Sequence, residues 1–190
     1  MSDFEFVFAL YSLLLGLSMV ELLSGLGRAL ETRFAAEESR AKFAIGWLTP
    51  LLAVFVMLDL LSFWQAAWTL RQDIAVSGRT LMAVAAFASL YFLAARLVFP
   101  SQPEGFANLD THYFRVRRVV LGLLLVLLVA QLAVYLAHPA LAAMFADPRI
   151  WGTTLVLIAL MVAAMWVKSV RASIAILSLL VARYVIVYLV

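Results

Sequence analysis

Nineteen consecutive residues, Val119 to Ala137, contain one strongly polar side chain, Gln131. A run of this length and character matches the roughly 20 apolar residues that carry an α-helix across a bilayer's hydrocarbon core, and it is not alone. Comparable stretches run at about 4–27, 50–70, 80–99, 150–167 and 172–190. With two thirds of the 190 residues hydrophobic and 13% charged, no soluble core could hide this surface, and patches so large would aggregate in water. The expected fold is therefore all-α: a polytopic transmembrane bundle of six spans forming a single domain over 1–190.

Span boundaries follow local chemistry. Asp3 and Glu5 precede the first run where a cleavable signal peptide would be basic, so that run is expected to remain as a span. Thr49-Pro50 suits a helix cap and first position, and Pro100 stops the third run. As one helix, 150–190 would be roughly 60 Å long, about twice the core thickness. Lys168-Ser169-Val170-Arg171 interrupts it, which predicts a tight hairpin there rather than one span plus an interfacial helix.

Charge orients the chain. The first, third and fifth loops carry four, four and two Lys or Arg, against two and one in the second and fourth. By the positive-inside rule the odd loops face the cytoplasm and both termini lie on the non-cytoplasmic side. The expected setting is a bacterial inner membrane. Residues 28–48 read as a cytoplasmic helical loop with Arg33/Glu37 and Glu38/Lys42 spaced for ion pairs, Gly25 and Gly27 breaking or bending the chain where it leaves the membrane. Residues 100–118 read as a cytoplasmic basic loop, with Arg115, Arg117 and Arg118 as a topology anchor on anionic lipid headgroups.

Ionisable groups inside spans are the sharpest functional pointers, because each costs several kcal/mol unless paired or hydrated. Four stand out: Glu21, Asp59, Arg96 and Arg183. Depth along the helices suggests pairing Asp59 with Arg183, and Glu21 with Arg96 or Arg28. Helical spacing adds polar stripes: Ser18, Glu21, Ser24/Gly25 and Arg28; Asp59, Ser62, Gln65/Ala66 and Thr69; and Gln131, Tyr135 and His138. Two readings stay open for these candidate ion-handling groups: a hydrated or proton-carrying path, and interhelical hydrogen-bonding glue with Ser12/Gly16 and Ser178/Ala182 as small-residue packing pairs. Trp47, Trp68, Trp151 and Trp166 read as an interfacial belt, and Trp64 as packed core.

Several chemistries lack their residues. There is no cysteine, which removes disulfides, thiolate metal sites and thiol nucleophiles. The two histidines fall on opposite sides of the membrane, so they cannot jointly hold a haem, and Asp110-x-His112 offers only two ligands of a metal site. No phosphate loop or nucleophile elbow occurs. No cofactor, catalytic residue or nucleic-acid partner is expected; the expected partners are lipid, a second copy or another membrane protein.

The segments Gly46-Trp47-Leu48-Thr49-Pro50-Leu51-Leu52, Asp59-Leu60-Leu61-Ser62-Phe63-Trp64, Leu90-Tyr91-Phe92-Leu93-Ala94-Ala95 with Phe99-Pro100, and Tyr113-Phe114-Arg115 resemble a group of small proteobacterial multi-pass inner-membrane proteins. The resemblance covers roughly the first 120 residues and implies no activity. On these grounds the expected role is a non-catalytic membrane subunit or oligomeric scaffold, with a small channel or transporter using Asp59 and Glu21 as the alternative.

Overall fold

The computed structural model describes residues 3–39, 42–69, 76–137 and 139–189. Its elements are α1 (Asp3–Ser39), α2 (Leu48–Thr69), α3 (Gly78–Val98), α4 (Leu109–Ala137), a single turn α5 (Pro139–Ala142), α6 (Pro148–Trp166) and α7 (Val170–Leu189). Short 3-10 turns lie at Pro103–Gly105 and Ala143–Ala146. Among the described residues, six helices (all but α5) are long and apolar enough to cross a membrane. The protein is an all-α, polytopic bundle. We call the end of the bundle at which α1 begins and α7 ends the terminal end, and the opposite one the basic end.

Four helix boundaries follow expectation closely. Ser77 caps α3 by accepting from the Thr80 N–H at 3.1 Å. Asp147 caps α6, with Pro148 in its first turn. The chain turns between Trp166 and Val170, so the predicted hairpin exists and the last 40 residues form two spans.

Three boundaries are corrected. α1 does not break at Gly25 or Gly27 but continues to Ser39, about 55 Å in length. Gly25 instead lets the Phe99 ring sit against the helix: a Cβ there would lie 2.7 Å from Phe99. Residues 28–39 thus form a stiff continuation of the first span, with Arg33 and Glu37 paired at 2.8 Å. The helix ends before Lys42, so the i, i+4 relation proposed for Glu38/Lys42 does not apply. Likewise 100–118 is not a loop throughout. α4 starts at Leu109, and Arg115, Arg117 and Arg118 lie on its first turns.

Thr49 is not the α2 cap either. The helix begins at Leu48, whose N–H donates to Asp110 Oδ1 at 3.0 Å, so the capping carboxylate comes from 62 residues away. Gly46 makes this possible. It adopts φ +69°, where an L side chain is strained, and a Cβ would collide with the Asp110 carboxylate. Thr49 donates instead to the Leu109 carbonyl at 2.9 Å. An isolated parallel bridge between Ala44 and Asn108 completes a clip between the chain before α2 and the start of α4.

α3 packs against α1 and α4, α2 against α7, α1 and α4, and α6 against α4 and α7. The contact seams repeat at spacings of three and four. α1 buries Leu15, Ser18, Leu22, Gly25 and Ala29; α3 buries Ala88, Tyr91, Ala95 and Val98; α7 buries Ser173, Leu177, Leu180 and Tyr184. Alanine, serine and glycine along them allow close backbone approach, the main source of helix association where lipid removes the hydrophobic drive. The expected small-residue pairs are not on these seams. Gly16, Ser178 and Ala182 are exposed, and Ser12 accepts a bond from Trp64 Nε1 at 3.0 Å. Trp64 itself is 46% exposed rather than core. Trp47, Trp68, Trp151 and Trp166 are exposed near helix ends.

Candidate functional site

Asp59 sits eleven residues, about 16 Å, into the 22-residue α2. It is therefore near the middle of a span, and it is 4% exposed. A carboxyl group at that depth needs donors, since an unsatisfied polar group in hydrocarbon costs several kcal/mol. Two tyrosines supply them. Tyr91 of α3 donates to Oδ2 at 2.7 Å, and Tyr184 of α7 donates to Oδ1 at 2.5 Å. The Tyr91 hydroxyl also approaches the Val56 carbonyl at 3.2 Å. One carboxyl group therefore joins the consecutive helices α2 and α3 to the remote α7.

Arg183 is not the partner of Asp59. Its Nε donates to the Thr153 carbonyl at 3.3 Å, and its guanidinium lies 5.3 Å from the Tyr184 ring centre. The reason is angular. Neighbouring residues on a helix point about 100° apart, so a helix that aims Tyr184 at Asp59 turns Arg183 aside. A phenol is also the less costly donor at this depth, because it carries no charge to desolvate.

Along the polar stripe beyond Asp59 the hydroxyls turn back onto their own helix. The Ser62 and Thr69 hydroxyls each bond back to a carbonyl three residues earlier, Asp59 and Ala66, at 2.7 Å. Gln65 is exposed. On the other side Ser18 bonds to the Leu14 carbonyl at 3.2 Å. These hydroxyls satisfy themselves within their own helices.

Nearer the basic end, the second expected cluster forms with both partners. Glu21 Oε1 accepts from Arg96 at 2.5 Å and from Arg28 at 3.3 Å. Arg96 also donates to Ser101 Oγ at 3.2 Å. The cluster ties α1 to α3 and to the start of the following loop, and the three side chains are 22–39% exposed. Gln131 Nε2 donates to the Tyr135 hydroxyl at 3.1 Å on the terminal half of α4. His138, grouped with them from spacing, lies outside the described residues, as do Arg40, Leu70, Arg71 and Val190.

The basic triplet on α4 divides. Arg117 is 4% exposed and donates to the Ala164 carbonyl at 3.2 Å and to the Val167 carbonyl. Its guanidinium also lies 4.7 Å from the Phe114 ring centre. These carbonyls end α6, where a helix leaves acceptors unpaired and its dipole is negative. Arg117 is thus a buried C-cap for another helix rather than a headgroup anchor. Arg118 is exposed, lies 4.7 Å from the Trp166 ring centre and reaches the Met165 carbonyl at 3.4 Å. Arg115 is exposed and lies 5.3 Å from the Phe106 ring centre.

Asp110 and His112 are also in use. Asp110 caps α2, and His112 Nε2 is 3.1 Å from the Leu97 carbonyl. Among the described residues no three His, Asp or Glu side chains converge as a metal site would require.

Sequence reasoning missed Tyr91, Tyr184 and the Asp110 cap, and gave Arg117 a different role. A signal existed for Tyr91: it sits mid-span, away from the interface where tyrosines gather, so its hydroxyl needed a buried acceptor. Arg117 and Asp110 gave no such signal, because their partners are remote in sequence. No family model, no curated protein and no solved structure matches the chain.

Proposed function

We propose that this protein is a non-catalytic subunit or oligomeric scaffold of a bacterial inner membrane, one of the group of small multi-pass proteins it resembles. One observation carries the reading: the intramembrane groups best suited to ion handling are occupied by other helices. Asp59 is held by two tyrosines, Glu21 by two arginines and Arg183 by a backbone carbonyl. Such bonds hold a bundle in one arrangement and tie up the groups that an ion path would use. Both termini lie on the non-cytoplasmic face in this reading, supported by the gathering of Arg28, Arg33, Arg96, Arg115, Arg118 and Arg171 towards the basic end. Exposed Arg115 and Arg118 are then available to anionic headgroups, and large exposed apolar side chains such as Leu13, Val126 and Leu179 to lipid or a partner.

The test is purification in mild detergent followed by mass and composition analysis. A defined oligomer or a stoichiometric co-eluting membrane protein is expected. A strictly monomeric chain with no partner would overturn the reading.

A second reading, a small proton-coupled transporter, has one specific support. Tyr11 and Phe63 lie between Asp59's tyrosine shell and a cleft at the terminal end: Tyr11 donates to the Phe63 carbonyl at 3.2 Å, and the Phe63 ring is 5.6 Å from Tyr91. Proton flux in proteoliposomes that disappears in Asp59→Asn would establish this reading over the first.

A further inference from the structure

At the terminal end α1, α2, α3 and α4 separate and leave a cleft of about 300 Å³. Among the described residues no charged side chain lines it. Its walls are aromatic and aliphatic, with Phe8, Phe63 and Phe87 among them and Ala83 at an open position. From Phe4 to Tyr11 on α1 the lining extends about 10 Å along the helix.

Three lining residues carry polar side-chain atoms, and they are not equivalent. Tyr11 spends its hydroxyl hydrogen on the Phe63 carbonyl. Gln131 and Tyr135 bond to each other, with the amide donating to the phenol oxygen. This leaves the second amide hydrogen of Gln131 and the hydroxyl hydrogen of Tyr135 as spare donors, beside the Gln131 amide oxygen as an acceptor. Tyr135 lies two residues and Gln131 six from the end of α4, about 3 and 9 Å. In a span of this length, hydrocarbon gives way to ester groups within about that distance of the helix end. A donor there calls for an acceptor, because an unmet N–H or O–H beside hydrocarbon is costly.

We propose that this cleft binds one ester-linked acyl chain of a bilayer lipid, with its ester carbonyl on Gln131 and Tyr135. The occupant must present one acceptor near the mouth and only hydrocarbon below it. An acyl ester has that order. A quinone ring fits less well: a second carbonyl would meet Phe63 and Phe87, and the nearest hydroxyl, Tyr11, is already committed.

Native mass spectrometry of the full chain tests this, with dioleoyl phosphatidylcholine and its diether analogue as probes. The two lipids differ at the carbonyl alone. Wild-type protein is expected to retain one ester lipid roughly fivefold more tightly than the ether, as one net hydrogen bond implies. Gln131→Leu with Tyr135→Phe should erase that preference. Ala83→Phe, which adds volume to open space and leaves the helix seams alone, should abolish tight retention of either lipid. Equal retention of ester and ether by wild type would overturn the proposal. So would an Ala83→Phe protein that still holds the lipid, or wild-type protein that retains decylbenzoquinone in preference to the ester lipid.

Discussion

Two acids inside spans, Asp59 and Glu21, reach satisfaction by opposite means. Asp59, mid-span and 4% exposed, is held by uncharged phenols. Glu21, nearer the basic end and with its side chain 22% exposed, is held by two guanidinium groups. The contrast follows the cost of desolvation. A buried cation must be stripped of water along with its acid, and the attraction between them often only offsets that cost. Phenol hydroxyls avoid it. Near the interface water still reaches the arginines, so ion pairs form cheaply but are screened and individually weak.

That difference can be broken by mutation. The largest effect is expected at the deep site. Asp59→Ala leaves two buried tyrosine hydroxyls without their acceptor and should destabilise the bundle by about 3–5 kcal/mol. Unfolding in a mixed-micelle SDS titration measures it, and a loss under about 1 kcal/mol would show that the tyrosines find other partners. Asp59→Asn keeps one acceptor oxygen and should cost less.

Next comes Gly46→Ala, at about 2–3 kcal/mol. It combines left-handed strain with a clash against the carboxylate that caps α2. Paired Gly46→Ala and Asp110→Ala changes should be less than additive by the same titration, because both remove one cap.

Glu21→Gln should cost about 1 kcal/mol at low salt and less at high ionic strength, since its partners are partly exposed. A salt-independent loss as large as that of Asp59→Ala would erase the distinction between the two ends. Smallest of all is Arg183→Met, expected within about 0.5 kcal/mol in the same assay and additive with Asp59→Asn. Strong coupling between those two would restore the ion pair that the geometry replaces with Tyr184.

Much of this was legible in the chain. Six apolar runs, the Lys168–Arg171 interruption and the Glu21–Arg96 pair were all readable, since each depends on length, local composition or depth along an axis. The errors share a cause. Asp59–Arg183 had the right depth and the wrong azimuth, and depth is all that counting residues supplies. Arg115, Arg117 and Arg118 form one cluster in sequence, yet a helix separates them by about 100° per residue. One therefore caps α6 while its neighbours stay exposed. Gly25 and Gly27 looked like breaks, but α1 runs through both and uses Gly25 to admit the Phe99 ring.

By itself the sequence determined that this chain lives in a bilayer as six helices, because hydrophobicity and backbone hydrogen bonding leave no other structure for such runs. The tertiary structure decided which polar group meets which. The Tyr91–Asp59–Tyr184 junction, the Asp110 cap on α2 and the Arg117 cap on α6 join residues 32 to 125 positions apart. Their pairing depends on how each helix is rotated about its axis, and packing along the small-residue seams sets that rotation.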